Sequence, residues 1–374
     1  HHGPTLAFKD NAMQLRARLM DRALTRQGSR ATVVCATSGD TGGAAVEAFA
    51  GRERADLFVL LPRGRVSEVQ RRMMSTSAAP NIHALEIDGT FDDCQNLVKT
   101  LFGDRKFRQR HTLAAVNSIN WARIMAQTVY YFTAAIALGA PDREIDFCVP
   151  TGNFGDIFAG HVARSMGLPI RRLIIATNIN DILVRTFTAG RHEMTGVTAT
   201  SSPSMDIQIS SNFERLVFEL IGSDAPALSR LMAGLAQSGA YTLPAPALQR
   251  LRDRFDAGAA SQAETTAMIT RFHEHNAQLI DPHTGVALHV ARALNTPADT
   301  VPMVVLSTAH AAKFPQAVEA ATGAHPALPA NLSGLMDLPE RLVSLTGDLE
   351  TVGAYISDHT SAHASANSSA GDQP

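Results

Sequence analysis

The sequence contains few cysteines, and their spacing argues against a covalent or metal-bound framework. Only three occur in 374 residues, Cys35, Cys94 and Cys148, and no two of them stand close together. An odd number of widely spaced cysteines is atypical of a disulfide scaffold or a zinc knuckle. Cys35 and Cys148 lie inside apolar runs, which indicates small core residues. We therefore expect a protein of a reducing, cytoplasmic setting.

Neither sign of charge predominates. Lysine and arginine number 33 against 35 aspartates and glutamates, so the formal net charge is -2. This balance gives no reason to expect nucleic acid or an anionic membrane as a partner. No apolar run approaches the roughly 20 residues that span a bilayer. With 45% hydrophobic and 18% charged residues, we expect a soluble globular protein with a sizeable core. We also expect a monomer.

An initiator methionine is also lacking. The chain opens at His1 and reaches its most informative motif within ten residues. Because chain ends fray unless they are tied down, we expect that an N-terminal segment is missing from this sequence.

Short apolar runs alternate with amphipathic segments, which is the pattern of βαβ units in an open, mainly parallel sheet. The predicted fold class is therefore α/β. Strands are predicted at 31–36, 56–61, 82–87, 145–149, 172–177 and 303–306. Helices are predicted at 11–26, 41–50, 67–77, 91–102, 121–138 and 158–166. A long functional or mobile loop is expected at 190–211, and the region 213–272 that follows it is expected to be largely helical.

Polar or glycine-rich turns follow three of the predicted strands, after Ala36, Val149 and Leu306. In open α/β sheets, ligands bind beyond the carboxyl ends of the strands. These turns therefore predict one shared ligand site.

The first motif ends on Lys9, between Phe8 and the start of a predicted helix. The positive end of the helix dipole and burial both disfavour the ammonium form. The neutral amine is the form that attacks an aldehyde to make a Schiff base. The alternative is a solvated surface lysine, which is the commoner fate of a lone lysine.

The turn at 37–43 has the sequence TSGDTGG. Its glycines allow close backbone approach, and amides at a helix start can bind a carboxylate or phosphate. The hydroxyls of Ser38 and Thr41 add hydrogen-bond donors. Alternatively, Ser38 or Asp40 caps the helix.

The turn at Gly152, Asn153, Phe154 and Gly155 is too short for a Walker loop, and it lacks the dinucleotide fingerprint. It predicts a small phosphate cradle, with a simple tight turn as the alternative.

Two more segments carry polar side chains at element ends. Ser118, Asn120 and Arg123 open a long predicted helix and could hold an anion together, or they form an N-cap beside a surface arginine. Ser307 and Thr308 follow the last strand, where a hydroxyl could meet a ring nitrogen.

Metal and hydrolase sites are not expected. His273 and His275 lack the i, i+4 spacing of a helical zinc site, and His283 and His289 are isolated. No G-x-S-x-G turn joins a predicted strand to a helix.

Together, the motifs resemble the threonine synthase family in type and order along nearly the whole chain. The segments that carry the resemblance are HGPTLAFKD at 2–10, ATSGDTG at 36–42, NSINWARI at 117–124, VPTGNFGD at 149–156, ATNIND at 176–181, SPSMDI at 202–207, DPHTGV at 281–286 and LSTAHAAKF at 306–314.

The resemblance implies a tryptophan-synthase-β-like fold of two domains with pyridoxal phosphate between them. The larger, cofactor-binding domain is expected at 1–28 and 129–357, the smaller at 29–128, and a disordered tail at 358–374.

The resemblance also implies roles for the motif residues. Lys9 matches the lysine that binds the cofactor covalently, and Gly152, Asn153, Phe154 and Gly155 match its phosphate cradle. Thr308 matches the hydroxyl that faces the pyridine nitrogen, with Ser307 as second choice. The residues that match substrate-binding positions are Ser38, Asp40, Thr41, Ser118, Asn120 and Arg123.

The implied reaction converts O-phospho-L-homoserine and water to L-threonine and phosphate. Three alternatives stay open: a threonine-synthase-like phospho-lyase, a hydroxyamino-acid dehydratase that gives a 2-oxo acid, and a truncated chain that binds the cofactor without turnover.

Overall fold

The computed structural model describes residues 1–116, 118–296 and 299–360. Contacts divide the chain into two compact units. The central unit comprises residue 1 and residues 118–327, and the flanking unit comprises the other described residues, 2–116 and 328–360.

The flanking unit is built from alternating strands and helices, and it ends with a strand and a helix from the C-terminal part of the chain. Its elements are α1 (Lys9–Gln27), β1 (Ala31–Ala36), α2 (Asp40–Phe49), β2 (Ala55–Pro62), α3 (Glu68–Ser75), β3 (Ile82–Ile87), α4 (Phe91–Gly103), α5 (Arg105–Arg110), β4 (Leu113–Ala115), β11 (Leu342–Leu345) and α15 (Leu349–His359).

The central unit follows the same α/β alternation around its own sheet. Its elements are α6 (Trp121–Ala137), β5 (Ile145–Pro150), α7 (Gly155–Ser165), β6 (Ile170–Thr177), α8 (Ile182–Ala189), β7 (Arg191–Glu193), α9 (Phe213–Leu220), α10 (Ala225–Ser238), β8 (Ala240–Thr242), α11 (Ala245–Arg252), β9 (Phe255–Ala259), α12 (Gln262–Asn276), α13 (Pro282–Leu294), β10 (Met303–Val305) and α14 (Pro315–Thr322).

Each unit has one parallel sheet covered on both faces. The flanking sheet has the order β11-β3-β2-β1-β4 and the central sheet the order β10-β5-β6-β9. All pairings within these sheets are parallel. In β1, Val33 and Cys35 pack with α1 and α2 on one face, while Val34 packs with α4 and α15 on the other. Burial on both faces explains why these strands are continuously apolar, and the predicted α/β class is confirmed.

The two units differ in extent from the predicted domains. Residues 2–28 group with the flanking unit because Met13 and Ala17 of α1 pack against β1 and α2. Residues 328–357 do so because β11 pairs with β3. Residues 118–128 belong to the central unit. Helix α15 extends to His359, and the rest of the predicted tail, from residue 361, lies outside the described residues.

An ionic cluster joins the starts of β5 and β6. Asp146 is fully buried beside a β-bulge, and its carboxylate accepts hydrogen bonds from the Nε atoms of Arg171 at 3.0 Å and Arg172 at 2.8 Å. Asp299 pairs with both guanidinium groups. Burial alone would raise the pKa of Asp146, but the two arginines hold it below its ordinary value.

The three cysteines are free and buried, which confirms the core placement predicted for Cys35 and Cys148. Burial raises the pKa of Cys94 to about 11. Among the described helices, none is both long and apolar enough to cross a membrane.

Candidate functional site

Lys9 is the first residue of α1 in the flanking unit. Its side chain is 11% exposed, and Nζ lies 3.3 Å from Oδ2 of Asp40 and 4.7 Å from the ring centre of Phe8. Phe8 occupies the N-cap position of α1, and within the described residues its side chain makes no capping hydrogen bond to this helix. Burial beside a carboxylate and an aromatic ring excludes a solvated surface lysine.

The glycine turn between β1 and α2 is closed by Thr37, which the sequence had not singled out. Oγ1 of Thr37 accepts hydrogen bonds from the amides of Gly39 at 3.0 Å and Gly42 at 2.9 Å. The predicted caps, Ser38 and Asp40, do not perform this role. A threonine immediately before the Ser-Gly pair is a capping residue type, so the signal was present in the sequence.

Because Thr37 closes the turn, the side chains of Ser38, Asp40 and Thr41 do not have to cap it. Ser38 and Thr41 are half-buried. Asp40 is buried and faces Lys9 with one carboxylate oxygen, while its other oxygen accepts a hydrogen bond from Nε2 of Gln70 at 3.0 Å. The flanking unit therefore brings Lys9 and Asp40 into contact.

The turn between β5 and α7 in the central unit has the shape of an anion cradle. Phe154 has a left-handed backbone with φ 62° and is buried, with its ring 5.1 Å from that of Phe213. A Cβ on Gly152 would lie 2.4 Å from the carbonyl oxygen of Ser204, so only glycine fits there. Within the described residues, no side chain caps the first turn of α7. Its amides are thus suited to an anion.

Asn212 links this cradle to the segment before α6. Its Nδ2 donates to the carbonyl oxygens of Ser118 and Asn153, both at 3.0 Å. The hydroxyl of Ser118 lies 3.0 Å from that of Ser211, which also bonds Oδ1 of Asn153. The central unit therefore brings Ser118 and Asn153 together through residues that the motif analysis missed.

The other two residues of that segment have different surroundings. Oδ1 of Asn120 accepts from the amide of Ala122 at 3.0 Å, so this side chain caps α6. Arg123 is 4% exposed, which excludes the predicted alternative of a surface arginine.

Two tyrosines hold the acidic residue at the first turn of α7. The hydroxyl of Tyr130 donates to Oδ1 of Asp156 at 2.5 Å, and that of Tyr131 lies 2.9 Å from the carbonyl oxygen of Asp156 and 3.1 Å from Oδ1. Burial, followed by the nearby carboxylate, raises the pKa of both tyrosines well above the ordinary value. Both phenols therefore stay protonated and remain hydrogen-bond donors to Asp156.

Ser307 and Thr308, which follow β10, differ in whether their hydroxyl protons are already used in hydrogen bonds within the chain. Asp281 is fully buried and accepts hydrogen bonds from the backbone and side chains of His283 and Thr284. The single hydroxyl proton of Thr284 is used by Asp281, so Ser307, whose Oγ lies 3.1 Å from Oγ1 of Thr284, must donate its own proton. Within the described residues, nothing accepts from the Thr308 hydroxyl. Thr308 is therefore the better donor to a ligand.

Among the described residues, no group of three or more His, Cys, Asp or Glu side chains is arranged to hold a metal ion. Each unit thus has its own group of candidate residues: a buried lysine with a carboxylate in the flanking unit, and a helix start suited to an anion with nearby hydroxyls in the central unit.

These features define a class of enzyme. Residues 1–308 match the family model described as pyridoxal-phosphate dependent enzyme, and residues 284–356 match the model described as threonine synthase, C-terminal. Threonine synthase from Pseudomonas aeruginosa is 49% identical over 96% of this chain and 76% of its own length. The chain belongs to the threonine synthase family.

Solved structures agree with this assignment. The crystal structure of threonine synthase from Brucella melitensis with bound pyridoxal phosphate is 58% identical, with a TM-score of 0.93 over 96% of this chain and 77% of that one. The yeast threonine synthase structure is 37% identical, with a TM-score of 0.90 at the same coverage. The resemblance seen in the sequence is confirmed.

The residues of this chain fit the cofactor of the family. The flanking unit has a buried lysine, and in the central unit the uncapped first turn of α7 is suited to a phosphate and the Thr308 hydroxyl is suited to a ring nitrogen. The roles of the individual residues are taken up as proposals below.

Proposed function

We propose that this chain converts O-phospho-L-homoserine and water to L-threonine and phosphate, with Lys9 as the residue that binds pyridoxal phosphate covalently. The observation that carries the proposal is the burial of Lys9 at the start of α1, in a chain of the threonine synthase family. A buried amine in contact with a carboxylate is suited both to covalent chemistry and to proton transfer.

The cofactor, when bound, acts as an electron sink that stabilises negative charge on the substrate carbon. The backbone amides of Gly155 and the residues after it would hold the cofactor phosphate, as helix starts do. Thr308 would donate its hydroxyl proton to the ring nitrogen. Because a hydroxyl is a weak acid, that nitrogen would stay largely unprotonated, which weakens the sink and disfavours transamination.

Lys9 has a second task once the substrate has displaced it. The freed amine is a general base, and we assign to it the proton transfers at the α- and β-carbons. Phosphate leaves from the γ-carbon and water adds at the β-carbon. Asp40, 3.3 Å from Nζ, would hold the amine in place while it carries the proton.

Recognition of the substrate phosphate is assigned to Arg123 with Ser118 and Asn120. Arg123 is buried on α6, so its guanidinium can bind a phosphate with little competition from water. Since Oδ1 of Asn120 caps α6, only its Nδ2 remains for a ligand. Ser38 and Thr41 are assigned to the rest of the substrate.

The test is an assay of phosphate and threonine released from O-phospho-L-homoserine in the presence of pyridoxal phosphate. We expect Lys9→Ala to lower turnover by about 10³-fold, because it removes both the covalent link and the base. Lys99→Ala, at an exposed lysine of α4, is the matched control and should retain activity. A visible absorption band of bound cofactor that survives Lys9→Ala would remove Lys9 from this role.

The same assay decides between the alternatives. 2-Oxobutyrate as the main product would replace the synthase by a phospho-lyase or a dehydratase. The buried Arg123 favours a phosphorylated substrate over a plain hydroxyamino acid. No turnover despite a cofactor band would leave a binding protein.

We also propose a cytoplasmic location and a monomeric state. Three free, buried cysteines support a reducing compartment. Light scattering of the purified chain tests the monomer.

A further inference from the structure

Gln70, on α3 in the flanking unit, lies in no motif of the site, yet its side chain contacts Asp40. Nε2 donates to Oδ1 of Asp40 at 3.0 Å, and the residue is 4% exposed. Asp40 contacts Nζ of Lys9 through its other carboxylate oxygen, at 3.3 Å. The side-chain amide of Gln70 is therefore connected to the lysine of the proposed reaction through one intervening residue, Asp40.

The orientation of the Gln70 amide is fixed from its other end. Oε1 accepts from the backbone amide of Ser67 at 3.4 Å and from its hydroxyl at 3.2 Å, which completes the capping box of α3. Because both donors of Ser67 require an oxygen, the nitrogen must face Asp40. The helix start thus determines which atom of Gln70 meets the carboxylate.

Close packing removes alternative positions for this side chain. Gly39 has φ 136°, and a Cβ built there would lie 2.4 Å from the Gln70 amide. The glycine of the turn therefore allows Gln70 to pass behind it to Asp40.

We infer that Gln70 is a positioning residue that orients Asp40 so that Asp40 holds the amine of Lys9 in a single direction. A free lysine side chain samples many rotamers, and a reaction that depends on orientation is slowed when the amine samples other directions. The inference rests on the proposed role of Lys9 and adds a residue that touches neither cofactor nor substrate.

The test compares Gln70→Met with Ser67→Ala. Methionine has a similar length but no amide, so Gln70→Met loses the contact with Asp40 and the hydrogen bonds from Ser67 to Oε1. Ser67→Ala loses the hydrogen bonds of the Ser67 hydroxyl, including the one from the amide of residue 70, and keeps the contact with Asp40. Both variants therefore weaken the capping box, but only Gln70→Met removes the contact with Asp40.

The first readout is capture of pyridoxal phosphate, followed by its visible band and by borohydride reduction with mass analysis of the Lys9 peptide. We expect capture about tenfold slower in Gln70→Met, the effect of losing a hydrogen bond to a charged group. Turnover should fall to a similar degree with KM for O-phospho-L-homoserine nearly unchanged. Ser67→Ala should match the unsubstituted chain in the rate of cofactor capture and in turnover.

The second readout needs no cofactor: the rate at which acetic anhydride acetylates Lys9, measured on the same peptide. An anchored ammonium reacts slowly, so Gln70→Met should react several-fold faster than Ser67→Ala. Equal acetylation in the two variants, or equal defects in capture, would overturn the role of Gln70. If the unsubstituted chain captures no cofactor at Lys9 while acetylation still separates the variants, the proposed function fails and the positioning role stands.

Discussion

At the scale of single residues, hydrogen bonds within the chain decide which hydroxyl groups can meet a ligand. Oγ1 of Thr37 accepts from two amides of the glycine turn, and Thr284 donates its proton to Asp281. Ser38, Thr41 and Thr308 are consequently the hydroxyls of these segments that are available for a ligand. Residue type and position could be predicted from the sequence, but this division of tasks depends on distances that only the folded chain has.

A residue-scale prediction concerns Gly152. Because an added Cβ would lie 2.4 Å from the backbone oxygen of Ser204, Gly152→Ala must displace the cradle before α7. We expect the dissociation constant for pyridoxal phosphate, measured by absorbance titration, to rise at least tenfold.

The control for this variant is Gly103→Ala. Gly103 has no atom within 4 Å of an added Cβ, and it stands in helix α4, where alanine is favoured. Unchanged affinity in Gly152→Ala would show that the cradle does not hold the cofactor.

At the scale of elements, the ends of strands and helices carry the site, and these ends were predicted well from the sequence. The strands 31–36 and 82–87 agree with β1 and β3 at both ends. β1 is a continuously apolar run, whereas β3 has His83 and Glu86 half-buried between buried apolar residues, and both patterns are typical of strands. Helix α7 begins at Gly155, three residues before the predicted start, because the left-handed Phe154 lets the cradle pass directly into the helix.

Five short strands were not predicted: β4, β7, β8, β9 and β11. They have three to five residues, and β9 is FDAGA, which lies in the region expected to be helical. Neither composition nor periodicity distinguishes such segments from turns. β4, β9 and β11 become strands by pairing with β1, β6 and β3, and β7 and β8 pair with each other.

An element-scale prediction compares two caps. Asp281 caps α13 and accepts four hydrogen bonds in a fully buried position. Serine can cap a helix but cannot accept all four. We expect Asp281→Ser to lower the free energy of unfolding by roughly 2–4 kcal/mol, measured by urea denaturation.

Asp224→Ser is the matched control, because Asp224 caps α10 through one exposed hydrogen bond to Ala227. Asp224→Ser should lower the free energy of unfolding by less than about 0.5 kcal/mol, since serine and aspartate are similar caps. Equal costs for the two variants would contradict the role of Asp281 as the centre of a buried network.

At the scale of the whole molecule, a buried histidine makes stability depend on pH. His192 is 2% exposed, stacked between the rings of Phe213 and Tyr241, and its Nδ1 lies 2.8 Å from the Thr186 hydroxyl. Burial, with a smaller effect of Arg185, lowers the pKa of His192 to about 4 from 6.5.

The unfolded chain therefore binds a proton between pH 6.5 and about 4 that the folded chain does not. The stability that the folded chain gains by keeping His192 neutral is complete above pH 6.5 and is lost as pH falls toward 4. At pH 5 the loss amounts to about 2 kcal/mol. We expect His192→Asn to reduce the loss of unfolding free energy between pH 7 and pH 5 by about that amount.

His325→Asn, at an exposed histidine, should leave the pH dependence unchanged. Urea denaturation at the two pH values measures both variants. Parallel behaviour of His192→Asn and the unsubstituted chain would show that another group is responsible.

How much of the site could be predicted also depends on scale. The motifs are local in sequence, so Lys9, the glycine turn and the cradle could be proposed without a structure, and their roles stay predictions. Residues that act from other elements were missed: Gln70 on α3 and Asn212 before α9 have no local pattern that marks them. Their roles come from packing of distant segments, which no spacing rule contains.

The cluster of Asp146 with Arg171 and Arg172 has a consequence for engineering. It pins the register of β5 and β6 at the starts of these strands, beside the bulge, whereas the cradle lies beyond the end of β5. A sheet whose alignment is locked at one end tolerates rebuilding at the other. The loop after β6 could therefore be exchanged to accept new substrates while the strand pair and the cradle after β5 keep their alignment.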